Sequence, residues 1–486
     1  MLTPPRYHLF PNENFALENE SKYREPAYCP YIVSEVRFYG EYFAFCCHAS
    51  SFFNPVIPKF PVTENAEATI KDFLEKRNSF IDELHGDKEL KIAKDCADCK
   101  KLIKGRCSES DIKIKTIAIS CYPSPCQARC IYCDVHTKPE NSIENCKSSP
   151  YPRLIAEMIS YLKTNSYIDK SCKFGVSPAE VTIMPHKKVF LDAVSGYKAF
   201  IPTNGFIFDE QLARSLKEDG STVNVSLDSG TPETYMTIKG ANNFERVLAN
   251  IKKYRESGIV SLKYIVIPGV NDGDDDIMGM VNILDELNST QAKTPVVLTM
   301  QSEYGMPFRS SYYAMAKFAI VMAQKRLPFR LENEKYTYNQ MLDFAAKLPE
   351  TEEFFKQRRS YLTEVFRNKF KDNYKAYRQF IYKLELSELI RNYSVNSRFC
   401  VIGEDTKAKN TISTIEESLH RKIFTAKTPE LALEYYDCVD VFISPDAKKT
   451  KHLKQLIGSR AGLKPIVVSL DEYMGSFGVL PLPYMP

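Results

Sequence analysis

Between residues 110 and 330 the chain alternates short strand-like runs with amphipathic stretches. The strand candidates are Ile112–Ser120, Glu180–Met184, Lys198–Pro202, Thr222–Leu227, Ser261–Ile267 and Pro295–Met300. Between them lie Arg153–Lys163, Glu210–Lys217, Phe244–Glu256 and Asp276–Leu287, with apolar residues at helical spacing. Repeated β–α units build a parallel sheet, because each helix carries the chain back so that the next strand runs the same way. The expected class is α/β: a (βα)6 partial TIM-type barrel whose working face lies at the carboxyl ends of its strands. Three further zones surround it. Residues 1–109 hold the β-like runs Ile32–Tyr39 and Tyr42–Cys46 and a helix-like stretch near Ala68–Leu84, a small α+β domain. Residues 331–395 read as a solvated helical connector with an apolar face, rich in aromatics and charge. Residues 396–486 resume the alternation as a small Rossmann-like unit. Its first strand ends Val401-Ile402-Gly403-Glu404-Asp405, without the glycine fingerprint of a dinucleotide site.

The 65 Lys and Arg nearly balance the 61 Asp and Glu, leaving +4, which gives no reason to expect nucleic acid or an anionic membrane as partner. Met1–Ala16 has no apolar run of the secretory kind, and no stretch has the length that spans a bilayer. A cytoplasmic setting is therefore expected, where clustered cysteines serve as metal ligands or reactive thiols more often than as disulfides. That matters here, because ten of the 14 cysteines fall between Cys29 and Cys133.

The densest group is Cys126-Gln-Ala-Arg-Cys130-Ile-Tyr132-Cys133, a C-x3-C-x2-C directly after the first strand of the array. Three thiolates on one tight loop suit three irons of a [4Fe–4S] cube and leave the fourth iron open to a substrate. Structural zinc is the competing reading, although it prefers paired C-x2-C units and four ligands. The segment resembles the signature of the radical S-adenosylmethionine (radical SAM) superfamily, with an aromatic before the third cysteine. Later strand ends carry further similarities. Pro178-Ala179-Glu180-Val181-Thr182-Ile183-Met184-Pro185 aligns with the family's Gly-Gly-Glu-Pro element, without its glycines. Thr203-Asn204-Gly205, Ser226-Leu227-Asp228-Ser229-Gly230 and Val266-Ile267-Pro268-Gly269-Val270-Asn271-Asp272 follow in the expected order.

The resemblance implies that Cys126, Cys130 and Cys133 ligate a SAM-binding [4Fe–4S] cluster. It implies that Tyr132, Glu180, Asn204, Ser226, Asp228 and Ile267 line the cofactor, with Glu180 accepting a hydrogen bond from the methionine amino group. It also implies a flavodoxin- or ferredoxin-type electron donor. In the first zone, Cys29, a hairpin, Cys46, a helix and Cys96-Ala-Asp-Cys99 follow the order of the family's Twitch or half-SPASM auxiliary domain, here ahead of the barrel instead of after it. Cys29, Cys46, Cys96 and Cys99 are thus expected to hold a second, auxiliary [4Fe–4S] cluster, with Cys47 or Cys107 as substitutes and a four-cysteine zinc site as the alternative.

The implied activity is reductive cleavage of SAM to a 5′-deoxyadenosyl radical that abstracts a substrate hydrogen. A fully ligated second cluster suits an electron acceptor, so oxidation of a sugar/aminocyclitol-type small molecule or a peptide is expected. The alternatives are a redox-neutral epimerase or dehydratase, and a non-catalytic iron–sulfur electron carrier or sensor. Glu303, Tyr304 and His186 stand near strand ends as candidates to face the substrate.

Overall fold

The computed structural model describes residues 26–45, 58–88, 102–108, 112–120, 123–177, 179–289, 295–302, 309–331, 348–371, 373–391, 393, 396–458 and 465–470. These divide into two compact units. Residues 1–129, 133–226 and 245–261 make the first, and 130–132, 227–244 and 262–486 the second.

Short segments open the first unit: β1 (Ala27–Tyr28), then β2 (Glu35–Phe38), β3 (Tyr42–Ala44), β4 (Phe60–Pro61) and β5 (Ile103–Lys104). β1 pairs with β5. The βα array follows with β6 (Ile114–Ile119), β7 (Ile168–Val176), β8 (Lys198–Thr203) and β9 (Thr222–Ser226). β6 to β9 lie in chain order and all pair in parallel, as successive βα units require. The sheet continues past β6, where β2 joins it in parallel and β3 and β4 follow antiparallel. Residues 35–61, expected in a separate domain, thus contribute three strands to the array's own sheet. Phe43, Phe45, Phe60, Phe73 and Phe80 stack between those strands and the helix Ala66–His85. That apolar wedge holds the sheet edge against the helix.

One expected strand is placed differently. Glu180–Met184 is not extended; Glu180 caps a 3-10 turn, Val181–Ile183, and the strand is Ile168–Val176. The Thr182 backbone and hydroxyl both turn toward the Glu180 carboxylate, local bonding that competes with a sheet ladder. The true strand hid because Asp169, Lys170, Ser171 and Lys173 interrupt its apolar alternation.

In the second unit β10 (Ile259–Val266, from Leu262 onward), β11 (Val297–Ser302) and β12 (Phe329–Leu331) are neighbours, and β11 and β12 pair in parallel. A separate four-stranded parallel sheet comprises β13 (Phe399–Ile402), β14 (Phe424–Ala426), β15 (Val441–Ser444) and β16 (Ile466–Ser469), in the order β14–β13–β15–β16. The helices Leu348–Val365 and Tyr374–Arg391, expected as a solvated connector, have a large buried face. Leu362, Tyr377, Ile381, Leu386 and Leu389 share one core with Ile265 and Ile267 of the array and with Phe399, Val401, Val441 and Ile443 of the terminal sheet.

These helices also grip the loop after β10. The Tyr377 hydroxyl donates to the Pro268 carbonyl at 2.7 Å, the Thr363 hydroxyl donates to the Gly269 carbonyl at 2.9 Å, and Arg359 Nε donates to Asp272 Oδ1 at 3.1 Å. Gly269 has φ +74°, and a Cβ there would meet the Tyr377 hydroxyl oxygen at 2.7 Å and Leu362 Cβ at 2.8 Å. Below this, buried Arg358 donates to Glu385 at 3.1 Å and to Glu388.

Two outcomes follow. Gly269→Ala is expected to destabilise by about 1–3 kcal/mol through overpacking and left-handed strain, seen as a lower denaturation midpoint. Arg358→Met strands two carboxylates in the core and is expected to cost about 3–5 kcal/mol by the same measurement.

Candidate functional site

The cysteine loop begins just after β6. Ser124 is buried; its backbone N–H donates to Asn141 Oδ1 at 3.1 Å, and its hydroxyl accepts from the Ala179 N–H at 2.9 Å. The start of the loop is thereby fastened to the segment that carries Glu180. Cys126, Cys130 and Cys133 are in no disulfide and are half-buried, the state a thiolate ligand needs, since full burial in an apolar core would favour the neutral thiol.

Within the first unit, Cys126, Glu180 and Asn204 come together. The Asn204 side-chain amide donates to Cys126 Sγ at 3.7 Å and its oxygen accepts from Gln127 Nε2 at 3.4 Å. The Asn204 backbone N–H donates to Glu180 Oε2 at 2.6 Å. Glu180 Oε1 accepts from Thr182 N at 3.0 Å, Thr182 Oγ1 at 2.7 Å and Thr203 Oγ1 at 2.8 Å. Burial raises the carboxyl's pKa above its ordinary value, against these hydrogen bonds, which pull it down. Oε1 is saturated, while Oε2 keeps acceptor capacity. Glu180 itself sits at φ −146° and ψ 108°, extended backbone open to any residue. Ser226 closes β9 and is half-buried.

Within the second unit, Asp228 organises the turn after β9. It adopts φ +57° and is fully buried. Oδ2 accepts from the Tyr132 hydroxyl at 2.6 Å and forms an ion pair with Lys239, itself buried. Oδ1 accepts from the Ile265 N–H at 2.7 Å. The Lys239 ammonium also donates to the Tyr132 hydroxyl at 3.2 Å. Burial first, then the Asp228 charge and Cys130, push the Tyr132 phenol well above its ordinary pKa, so it stays a neutral donor. Tyr132 immediately precedes Cys133, and Ile131 N–H donates to the Ile238 carbonyl at 3.0 Å. The middle of the cysteine loop is therefore held by the helix Pro232–Lys239 and by Asp228.

Sequence reading missed Lys239, Asn271 and Asp276. Asn271 donates to the Asp228 and Ile265 carbonyls at 2.8 and 2.7 Å, and its oxygen accepts from the Ile267 N–H at 2.7 Å. Asp276 accepts from Gly230 N, Ser229 Oγ, Thr231 Oγ1 and Thr234 Oγ1. Gly230 allows this approach, since a Cβ there would lie 1.9 Å from the Asp276 carbonyl oxygen. Asn271 was visible as part of a motif; Lys239 and Asp276 carried no local signal, because each acts across a helix and a loop. Ile267 is buried.

Other expected residues have different fates. Cys29 is buried and N-caps the helix Pro30–Ser34 without a side-chain cap bond. Cys46, Cys47, Cys96, Cys99, Glu303 and Tyr304 lie outside the described residues. His186 N-caps the helix Lys187–Val194, with Nε2 at 3.0 Å from the Lys147 carbonyl, a structural placement. Among the described residues, no helix is long and apolar enough to cross a membrane.

The Lys239–Asp228–Tyr132 arrangement makes a stability prediction. Lys239→Met leaves a buried carboxylate without its cation and is expected to cost about 3–5 kcal/mol. The double variant Lys239→Met/Asp228→Asn is expected to recover part of that loss in the same denaturant titration.

Comparison with known proteins adds the family. The sequence profile of the radical SAM superfamily matches residues 124–281, from the cysteine loop into the helix Asp274–Ser289. A probable GTP 3',8-cyclase from Methanococcus aeolicus is 30% identical over 182 residues, covering 34% of this chain and 55% of that protein. The GTP 3',8-cyclase of Acaryochloris marina is 32% identical over 163 residues, covering 30% and 46%. The chain thus spans about half the length of these curated relatives. Streptococcus suis SuiB bound to S-adenosylmethionine aligns at 13% identity with a TM-score of 0.34, over 57% of this chain and 66% of that one. Residues 124–281 of this chain are thus similar to the radical SAM superfamily.

Proposed function

We propose that this chain is a radical SAM enzyme in which Cys126, Cys130 and Cys133 hold the SAM-binding [4Fe–4S] cluster. The observation that carries the reading is the Cys126–Asn204–Glu180 constellation. The Asn204 side-chain amide donates to the Cys126 thiol, and the buried Glu180 carboxylate, with remaining acceptor capacity, accepts from the Asn204 backbone N–H. These groups fit the cluster and its ligand: an amide N–H stabilises a thiolate, and a carboxylate oxygen accepts from an ammonium. When bound, the cluster and SAM supply a 5′-deoxyadenosyl radical that takes a hydrogen atom from the substrate.

The chain's own residues do the positioning. Glu180 accepts the amino group of SAM, and Thr182 and Thr203 hold its carboxylate in one orientation. Asn204 fixes the distance between that carboxylate and Cys126. Tyr132, kept neutral, ties the cysteine loop to Asp228, while Ser226 and Ile267 stand at strand ends as cofactor neighbours. A flavodoxin- or ferredoxin-type protein donates the electron.

The net reaction we favour is oxidation of a sugar/aminocyclitol-type small molecule or a peptide. Cys29, Cys46, Cys96 and Cys99, with Cys107 as substitute, hold an auxiliary [4Fe–4S] cluster that accepts the substrate's second electron.

The test is anaerobic reconstitution with iron and sulfide, then reduction in the presence of SAM and assay of 5′-deoxyadenosine. The intact chain is expected to release it. Cys126→Ala is expected to lose about four irons per chain and to fall to background cleavage. Undiminished cleavage by Cys126→Ala would overturn the ligand assignment.

A further inference from the structure

The two ends of a side-chain amide are told apart by what they bond, and around Asn204 the neighbours leave one assignment. The Phe206 backbone N–H, which can only donate, lies 3.0 Å from Asn204 Oδ1. Gln127 Nε2 donates to the same oxygen at 3.4 Å. With its oxygen held twice, the amide turns its nitrogen to sulfur, and Nδ2 donates to Cys126 Sγ at 3.7 Å. Cys126, Gln127, Asn204 and Phe206 all belong to the first unit. Asn204 is buried, so bulk water does not compete for these bonds.

Gln127 directly follows Cys126 and is half-buried. Its Oε1 atom is buried and meets no hydrogen-bond partner among the described residues. A buried acceptor without a donor costs stability, so an apolar side chain of similar size would suit packing alone better. What Gln127 offers that leucine does not is the Nε2 donor on Asn204 Oδ1. A neutral thiol gains little from the far end of this chain, because its sulfur is a weak acceptor. A thiolate on iron is anionic, and an N–H aimed at it makes a charge-assisted bond. Reduction adds one electron to the cluster, and the added negative charge spreads onto its sulfurs. A donor to sulfur therefore favours the reduced form, one of the ways a protein sets the potential of an iron–sulfur cluster.

We infer that the Asn204 amide raises the reduction potential of the cluster held by Cys126, and that Gln127 is the positioning residue that orients this amide. The inference rests on the proposed assignment of Cys126 as a cluster ligand. It is separable from the orientation of Glu180, which uses the Asn204 backbone N–H and is indifferent to the side chain. Its consequence is that the electron from the flavodoxin- or ferredoxin-type donor is accepted at a less negative potential.

The test uses the full chain, reconstituted anaerobically with iron and sulfide and reduced stepwise with titanium(III) citrate under electron paramagnetic resonance. The signal that Cys126→Ala loses identifies the cluster concerned. Asn204→Leu is expected to keep its iron while the reduced-to-oxidised ratio at fixed potential falls about tenfold, equivalent to 59 mV for one electron. Gln127→Leu removes an unpaired acceptor, leaves the Phe206 bond in place, and is expected to lower the same ratio about threefold. The double variant is expected to match Asn204→Leu alone, because one residue acts through the other. An unchanged potential in Asn204→Leu with iron retained would overturn the tuning role. A Gln127→Leu effect that persists in full without the Asn204 amide would overturn the positioning role. Should Asn204→Leu lose its iron, Gln127→Leu decides the matter, and an unchanged potential there sinks the inference. A Cys126→Ala chain that keeps every signal would instead remove the ligand assignment beneath it.

Discussion

The second unit depends on one buried charge. Asp228 sits in a left-handed turn with no solvent access, so every oxygen lone pair must be answered from within the protein. Lys239 answers from the end of one helix, Tyr132 from the cysteine loop and the Ile265 N–H from a strand. Three segments far apart in the chain are thereby fixed to one carboxylate. A surface pair of the same composition would contribute little; in this setting, removal of any partner leaves an uncompensated polar group in low dielectric. The turn's geometry and the cysteine loop's position are consequences of that pairing.

Glu180 plays the corresponding part in the first unit, with different chemistry. Its partners are hydroxyls and backbone N–H groups, and no cation is among them. Neutral donors orient a carboxylate without cancelling its charge, so it remains attractive to a cationic group on a ligand. The Ala179 N–H beside it donates to the Ser124 hydroxyl.

Legibility from sequence differed by element. The order of strands β8 to β11 and the whole terminal sheet were readable, because apolar runs bounded by turn residues mark buried parallel strands. β7 was misplaced by its interleaved charges, and Thr182, a good strand former, was drawn into a turn by a carboxylate two residues away. The helices Leu348–Val365 and Tyr374–Arg391 showed an apolar face in the sequence, but what that face packs against shows itself only in the fold. Cys126, Cys130 and Cys133 stood out by their spacing, and Glu180, Asn204 and Asp228 by the resemblance of their strand-end motifs. Lys239 and Asp276 did not, because a helix-surface Lys and a first-turn Asp are ordinary in sequence until burial makes them singular.

Taken by itself, the sequence determined the α/β class, the position of the cysteine loop after a strand, and the chemical character of that loop. Periodicity and cysteine spacing are local properties, and both survive without knowledge of the fold. Tertiary structure alone decided that strands β2 to β4 extend the array's sheet, that the two connector helices share a core with the terminal sheet, and that Lys239 is buried against Asp228. The reason is the same in each case: the free energy of a buried strand edge, an apolar face or a cation depends on what lies across from it. That partner comes from distant sequence.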